Sequence, residues 1–382
     1  MKIDKVLSCK VCGHDCFKDS LLSYSNLPSS AQGFLEFDEL ESDIGSELNV
    51  VQCSVCGLVQ LDNNPVSYYK EVIRASAFSN EMKEFRFEQF QSWIKQYNLA
   101  NKKIIEVGCG KGEYLEILSN AGADAYGIEY SMESVDYCIN NNLSVIQGFL
   151  GNQNLVLEDI KYDGFMCLSF MEHWPEPNEV LNALCKNLKE GSIGLVEVPN
   201  FNMILEEGLY SEFISDHLLY FTRETLIFTL QLNGFEVLNC EAIWHNYILS
   251  AVVRKRVKTN LDFFEGFKNK VKQDLDCFIE KFPEKRVAIW GAGHQALATI
   301  SLTGIEKKIK FIVDSAIFKQ GKYSPSSHIQ IVPEQRLVED SVDAIIIMAG
   351  SYSDEISKIM LTKYPSIEIA VLREFGLEFI EN

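Results

Sequence analysis

Three glycines at alternate positions, Gly108, Gly110 and Gly112, follow the apolar stretch Lys103-Ile104-Ile105-Glu106-Val107. Glycines after a strand let the backbone approach a ligand closely, because no side chain stands in between. A dinucleotide fold uses the spacing GxGxxG and offers a helix N-terminus to a pyrophosphate. Here the spacing is GxGxG, and the acidic Glu106 stands two residues ahead of it. A carboxylate there repels a pyrophosphate and suits a cationic ligand that carries an ammonium group. A second acid, Glu129, ends the apolar stretch Ala125-Tyr126-Gly127-Ile128, the place from which a carboxylate accepts hydrogen bonds from two ribose hydroxyls.

A ligand with an ammonium, a ribose and a sulfonium fits this set, and S-adenosylmethionine has all three. The residues expected to contact it are Glu106, Gly108, Cys109 and Gly110 at the glycine turn, with Glu129 and Tyr130 after the second strand. Phe149, beside Gly148, is the expected apolar cover for an adenine, and Ser169 and Phe170 follow the fourth strand. The acidic partner usual at the Gly148-Phe149 turn is missing.

A second chemical set lies near the N-terminus. Cys9-x-x-Cys12 and Cys53-x-x-Cys56 are each followed by a glycine, Gly13 and Gly57. In such a knuckle two thiolates converge and the glycine permits the close turn, so two knuckles supply the four sulfurs of a tetrahedral zinc site. A closed four-thiolate site leaves no open position for substrate, so its expected role is structural. A redox role for the pairs is the alternative, and Cys16 and His14 are nearby but less symmetric candidate ligands. Cys109, Cys138, Cys167, Cys185, Cys240 and Cys277 lie singly in apolar segments and read as small buried thiols.

The elements that must position these residues alternate strand and helix. Strands are expected at 103–108, 125–128, 164–169 and 193–198, with helices at 113–120 and near 178–188, and the stretch 188–192 reads as a loop. That alternation predicts a parallel sheet with helices on both faces, binding ligands at the carboxyl ends of the strands. Before it, Tyr68, Val72, Phe78, Met82, Phe85, Phe90 and Trp93 recur at helical spacing and read as a core-facing stripe, and Tyr69, Arg74 and Ser79 are candidates to cover the mouth of the site. After it, a helix is expected over 261–282. Arg286 to Gly293 then opens a second strand–glycine turn–helix unit, with Asp314 ending its next strand and a further strand at 343–348. The expected organisation is a zinc-binding domain at 1–66, an α/β domain at 67–258 with a helical lead-in at 67–100, and a Rossmann-like α/β domain at 259–382.

The 382 residues are 47% hydrophobic and 23% charged, an ordinary globular composition. The formal charge of −19 argues against nucleic-acid and anionic-membrane partners. No apolar run reaches the length of a membrane span, and the first residues lack a hydrophobic signal region. A cytoplasmic protein, monomeric or a small homo-oligomer, with a small-molecule partner is expected.

With its three segments in order, the chain resembles the bacterial nucleotide-sugar C-methyltransferases. The resemblance is carried by the two knuckles, Glu106–Gly112, Glu172-His173, Asp216-His217 with Tyr220-Phe221, and Gly291-Ala292-Gly293-His294. It implies a class I methyltransferase fold flanked by a zinc domain and a C-terminal Rossmann-like substrate domain. It also implies S-adenosylmethionine as methyl donor and a nucleotide-linked keto sugar as acceptor. The carbon next to a carbonyl must lose a proton before it is methylated, and a histidine suits that work. Carried over residue by residue, the resemblance makes His217 the base, Asp216 its neighbour and His173 a further member of the catalytic set. Transfer to oxygen or nitrogen of a related sugar is the alternative. The stretch Phe213-Ile214-Ser215-Asp216-His217 lacks the tyrosine that the family carries there, and Tyr210, Tyr220 and His173 are the candidates to replace it. The turn at Gly291 to Gly293 loosely fits a dinucleotide fingerprint, but the preferred reading is a substrate phosphate at the following helix.

Overall fold

The computed structural model describes residues 7–31, 34–71, 79–151 and 161–380. The chain divides into two compact units, Met1–Lys258 and Thr259–Asn382.

The first unit begins with the cysteine knuckles and a small antiparallel sheet of β1 (Leu22–Leu27), β2 (Ser46–Gln52) and β3 (Val59–Leu61). Helix α1 (Asn80–Gln96) follows, started by Ser79, whose side chain accepts a hydrogen bond from the Met82 amide at 3.1 Å. Within the lead-in expected at 67–100, α1 covers Asn80–Gln96 and Ser79 is its cap. Residues 67–70 form a turn, and the Tyr68 hydroxyl donates to the carboxylate of Asp216 at 2.6 Å. Val72, Arg74 and Phe78 lie outside the described residues.

The main sheet is built from β4 (Lys103–Val107), α2 (Glu113–Asn120), β5 (Asp124–Glu129), α3 (Met132–Asn140), β6 (Ser144–Gln147), β7 (Tyr162–Leu168), α4 (Pro177–Asn187) and β8 (Leu188–Pro199). It is completed by α5 (Phe201–Glu207), β9 (Leu219–Tyr220), α6 (Arg223–Leu232), β10 (Phe235–Ile243) and β11 (Ile248–Lys255). Its seven strands run β10-β11-β8-β7-β4-β5-β6. β4 to β8 are mutually parallel, and β11 runs against both its neighbours. This is the class I methyltransferase Rossmann-like arrangement. The chain starts in the middle at β4, moves out to the β6 edge and returns to β7. The reversal opens a crevice at the carboxyl ends of β4, β5 and β7, where such folds bind ligands.

The stretch 188–192 is a correction: it is strand, the first part of β8. Tyr162 pairs with Leu188 but Gly164 pairs with Ile193, so the intervening residues bulge while pairing resumes on either side. Gly191, at φ 73°, supplies the left-handed backbone that the bulge requires. The remaining strand, β9, joins β3 rather than the main sheet, with Val59 opposite Tyr220. The cysteine-bearing module is thereby stitched to the loop that carries Asp216 and His217.

Helix α1 is fastened to the sheet by a buried ion pair. Arg86 donates to Glu197 of β8 at 2.5 Å, and both side chains are almost wholly buried. Glu197 also accepts from Gln89 at 2.5 Å and from Ser250 of β11 at 2.9 Å. A charge pair taken out of water persists only with such added hydrogen bonds.

The second unit is a separate α/β layer made of α7 (Asp262–Ile279), β12 (Val287–Trp290), α8 (His294–Thr303), β13 (Ile309–Val313), β14 (Ile331–Val332), α9 (Arg336–Glu339), β15 (Ala344–Ile347), α10 (Ser353–Lys363), β16 (Glu368–Arg373) and β17 (Gly376–Ile380). The order is β14-β13-β12-β15-β16-β17, parallel except for β17. Cys277 on α7 is exposed and Cys185 only partly buried, so neither is the enclosed thiol expected; on an amphipathic helix, Cys277 falls on the solvent face. Among the described residues no helix is long and apolar enough to cross a membrane.

Replacing Arg86 by Ala should destabilise the first unit by about 3–5 kcal/mol, since Glu197 is left buried and unpaired. The shift in urea midpoint measures it; a loss below about 1 kcal/mol would show that the pair is not what holds α1 down.

Candidate active site

The four knuckle cysteines converge. The sulfurs of Cys9 and Cys56 lie 3.6 Å apart and those of Cys12 and Cys53 3.4 Å apart, and all four come within 4.8 Å of one another. Zinc–sulfur bonds of about 2.3 Å place tetrahedral thiolates about 3.8 Å apart, so the cluster fits a zinc domain. The first sulfur of each knuckle accepts two backbone amides: Val11 and Cys12 on Cys9, Val55 and Cys56 on Cys53. These bonds favour thiolate over thiol. Gly13 and Gly57, at φ 75° and 80°, turn the chain as the sequence requires. Among the described residues the cluster groups these four sulfurs and includes neither Cys16 nor His14.

At the crevice, the residues expected to hold the cofactor come together around the ends of β4, β5 and β7. Val107, Gly108, Ile128, Tyr130, Gly148, Phe149, Leu150 and Phe170 line one cavity. Gly108 has φ 70°, and a Cβ built there would lie 2.5 Å from the Phe170 ring. Both the conformation and the space exclude a side chain. Glu129 accepts the Gly110 amide at 2.9 Å on one oxygen and the Ser131 amide at 2.9 Å on the other, so it braces the glycine turn while facing the crevice. Burial raises its pKa against those amides, which lower it. Glu106 is buried at the end of β4, and Cys109 lies beneath the turn. Ser169 is exposed at φ 51°, a sharp left-handed exit from β7 that swings Phe170 back into the cavity.

The sequence reading passed over one member of this crevice. Lys70 lines it too, its ammonium 5.6, 5.3 and 5.4 Å from the ring centres of Tyr69, Tyr130 and Phe149. Tyr69 packs edge-on to Phe149 at 5.8 Å, so one candidate to cover the mouth does reach it. Three aromatic rings thus surround the Lys70 ammonium at the crevice.

The residues expected to do acid–base work sit beside Phe170, whose ring lies 6.4 Å from His173. His173 and His217 stack edge to face at 4.8 Å. His173 donates from Nδ1 to the Asp216 carbonyl at 2.7 Å, which leaves Nε2 with its lone pair. Asp216 does not orient His217 through its carboxylate. That group instead accepts from Tyr68 at 2.6 Å and from the Ala31 amide at 2.9 Å. Burial holds His173 down to about 4 and His217, which His173 also lowers, to about 3. Both imidazoles are neutral at neutral pH.

Of the candidates for the missing tyrosine, Tyr210 is 73% exposed. The Tyr220 hydroxyl accepts the Ile214 amide at 3.1 Å and lies within reach of the Glu212 and Ile214 carbonyls, so the loop backbone occupies it. The phenol that borders the acid–His pair is Tyr68, which helical spacing had marked as a core residue. Only the folded chain brings it to Asp216, 148 positions away.

Residues 82–239 match a family model described as a methyltransferase domain, and residues 252–364 one described as a C-methyltransferase C-terminal domain. The C-methyltransferase NovU of Streptomyces niveus is 21% identical over 91% of this chain and 90% of its own length. Ubiquinone biosynthesis O-methyltransferases of Methylococcus capsulatus and Psychrobacter arcticus are 31% and 29% identical, over 32% and 28% of this chain. The chain spans only 53% and 44% of those two relatives. A solved S-adenosylmethionine-dependent methyltransferase from Clostridium acetobutylicum aligns at TM-score 0.39 and 15% identity, covering 50% of this chain and 96% of its own.

Gly108→Ala should strain the turn by about 1–3 kcal/mol and weaken S-adenosylmethionine binding on the order of tenfold or more. Calorimetric titration reads this directly, and unchanged affinity would remove Gly108 from the cofactor cradle.

Proposed function

We propose that this S-adenosylmethionine-dependent methyltransferase methylates a carbon atom of a nucleotide-linked keto sugar. The observation that carries the reading is the similarity to a C-methyltransferase over 91% of the chain. The neutral histidine pair beside the cofactor crevice supports it, because removing a proton alpha to a carbonyl needs an unprotonated base.

In this reading Glu106 receives the ammonium of the cofactor, and Gly108, Cys109 and Gly110 receive its methionine and ribose portions through the backbone. Glu129 and Tyr130 face the ribose, and Phe149, Ser169 and Phe170 border the adenine. When bound, S-adenosylmethionine supplies an electrophilic methyl group. His217 takes the proton from the carbon alpha to the keto group, leaving the electron pair on the substrate as an enolate. His173, pinned by the Asp216 carbonyl, directs its other nitrogen to the same place, and Asp216 fixes Tyr68 at the edge of the pair. Cys9, Cys12, Cys53 and Cys56 hold a structural zinc. Residues 1–66, 67–258 and 259–382 act as zinc-binding, methyltransferase and substrate-binding domains.

The similarity to O-methyltransferases over about a third of the chain favours a second reading, transfer to oxygen or nitrogen of a related sugar. A substrate deuterated at the alpha carbon separates the two, since retention of all the label in the methylated product would exclude alkylation of that carbon.

His217→Ala should leave S-adenosylmethionine affinity nearly unchanged and lower turnover by about 10²–10⁴-fold, as loss of a general base does; wild-type turnover in that variant would remove His217 from the mechanism. Protein purified without chelator should hold stoichiometric zinc by elemental analysis, and stripping it should lower thermal stability, because structural zinc binding is coupled to folding. Absence of zinc after native purification would overturn the four-thiolate assignment.

A further inference from the structure

The turn after β7 buries a carboxyl group that the reaction as outlined does not use. Glu172 is 2% exposed and His173 5%. One ligand atom each of Glu172, His173 and His217 lies within 4.8 Å of the others, and Glu172 Oε1 is 3.9 Å from His173 Nε2. Its other oxygen, Oε2, is buried with no hydrogen-bond partner among the described residues. A buried carboxyl oxygen without a partner destabilises the fold, and the other oxygen of the same group, Oε1, is the one that approaches the His173 ring.

Resting on the proposed base, we propose that Glu172 is the charge partner of the His173–His217 pair. It is a positioning residue that acts through the imidazoles and makes them basic enough to deprotonate a carbon acid.

Other groups around the turn are already committed. Asp216 holds Tyr68 and the Ala31 amide. Glu197 of β8 is tied to Arg86, Gln89 and Ser250. The Tyr220 hydroxyl of β9 lies on the loop backbone. Cys167 of β7 and Tyr247, between β10 and β11, both sense the Glu172 charge, and burial raises both above their ordinary values, so they stay neutral. Glu212 accepts the Tyr247 hydroxyl at 2.8 Å, Glu106 is on β4, near Cys167, and among the described residues Glu172 is the carboxyl that groups with both imidazoles within 4.8 Å. When the carbon–hydrogen bond breaks, the proton goes to His217 and the electron pair stays on the substrate. The new positive charge then lies beside a carboxylate instead of in an apolar wall. Without a counter-charge, two desolvated imidazoles that repel one another's protonation are weak bases.

Burial pushes the Glu172 carboxyl up to about 8. Below that pH it carries its own proton and gives the histidines no charge; above it, it is ionised. The sign follows: turnover rises with pH through about 8 in the wild type.

Glu172→Gln keeps the shape and removes the charge. With a nucleoside-diphosphate keto sugar as acceptor, turnover should fall about 10²-fold, the low end of an acid–base contribution, and the rise near pH 8 should vanish while S-adenosylmethionine affinity holds. Glu172→Asp should recover part of the rise. Infrared titration of the full chain with S-adenosylhomocysteine is independent of activity. It should show a protonated-carboxyl band that bleaches near pH 8 in the wild type and is missing in E172Q. A variant that keeps the pH rise, or a wild type without that band, overturns the role of Glu172. Full activity in His217→Ala would instead sink the base itself, so the two failures are distinct.

Discussion

Asp216 is buried where three distant parts of the first unit meet. Its carboxylate takes the Tyr68 hydroxyl on one oxygen and the Ala31 amide on the other, while its carbonyl takes Nδ1 of His173. The amide two residues on, at Leu218, bonds the carbonyl of Glu172 at 2.8 Å. A buried carboxylate must be hydrogen-bonded or it destabilises the fold. Here the carboxylate's donors come from the cysteine module and the lead-in to α1, and the turn after β7 donates to the Asp216 carbonyl. The position of His217 therefore depends on all three being docked. The small sheet thus reaches the Asp216 loop although its cysteines lie outside the crevice: β3 pairs with β9, and the Ala31 amide bonds the acid.

Electrostatics in this wall are arranged around neutrality. Two imidazoles are held neutral by burial, and the carboxyl beside them is neutral over much of the physiological range. Charge is admitted only where it is matched, as between Arg86 and Glu197 under α1. The crevice next door has the opposite bias, with carboxylates at Glu106 and Glu129 and aromatic faces around the Lys70 ammonium. The glycine turns of the two units use a common brace. Glu129 accepts the Gly110 amide, and Asp314 accepts the Ala292 amide at 2.8 Å. Asp314 is further held by the Lys319 ammonium at 2.9 Å, a partner without a counterpart at Glu129 among the bonds described.

Local pattern determined much of this molecule. Alternating apolar strands and amphipathic helices specify a parallel sheet, because each period buries one kind of face. Gly108, Gly110 and Gly112 announce a turn only glycine adopts readily, and all three have positive φ. Paired CxxC-Gly units declare their own geometry, since the thiolates and the turn lie within a few residues. Those signals are short-range, and they were legible for that reason. What the sequence left open depends on residues far apart in the chain. Helical spacing marked Tyr68 as core, whereas tertiary contact makes it the donor to Asp216. Adjacency of Asp216 and His217 invited an acid–base pair, yet the backbone points the carboxylate toward Ala31 and Tyr68. Leu188 to Ser192 carry loop-like residues, but pairing with β7 on either side of a bulge makes them strand. Glu172, a motif residue, comes within 4.8 Å of both histidines and loses its surrounding water only when the chain folds. Composition and spacing set the elements and the cofactor class; desolvation and long-range hydrogen bonds, which exist only in the packed structure, decided which side chains face one another there.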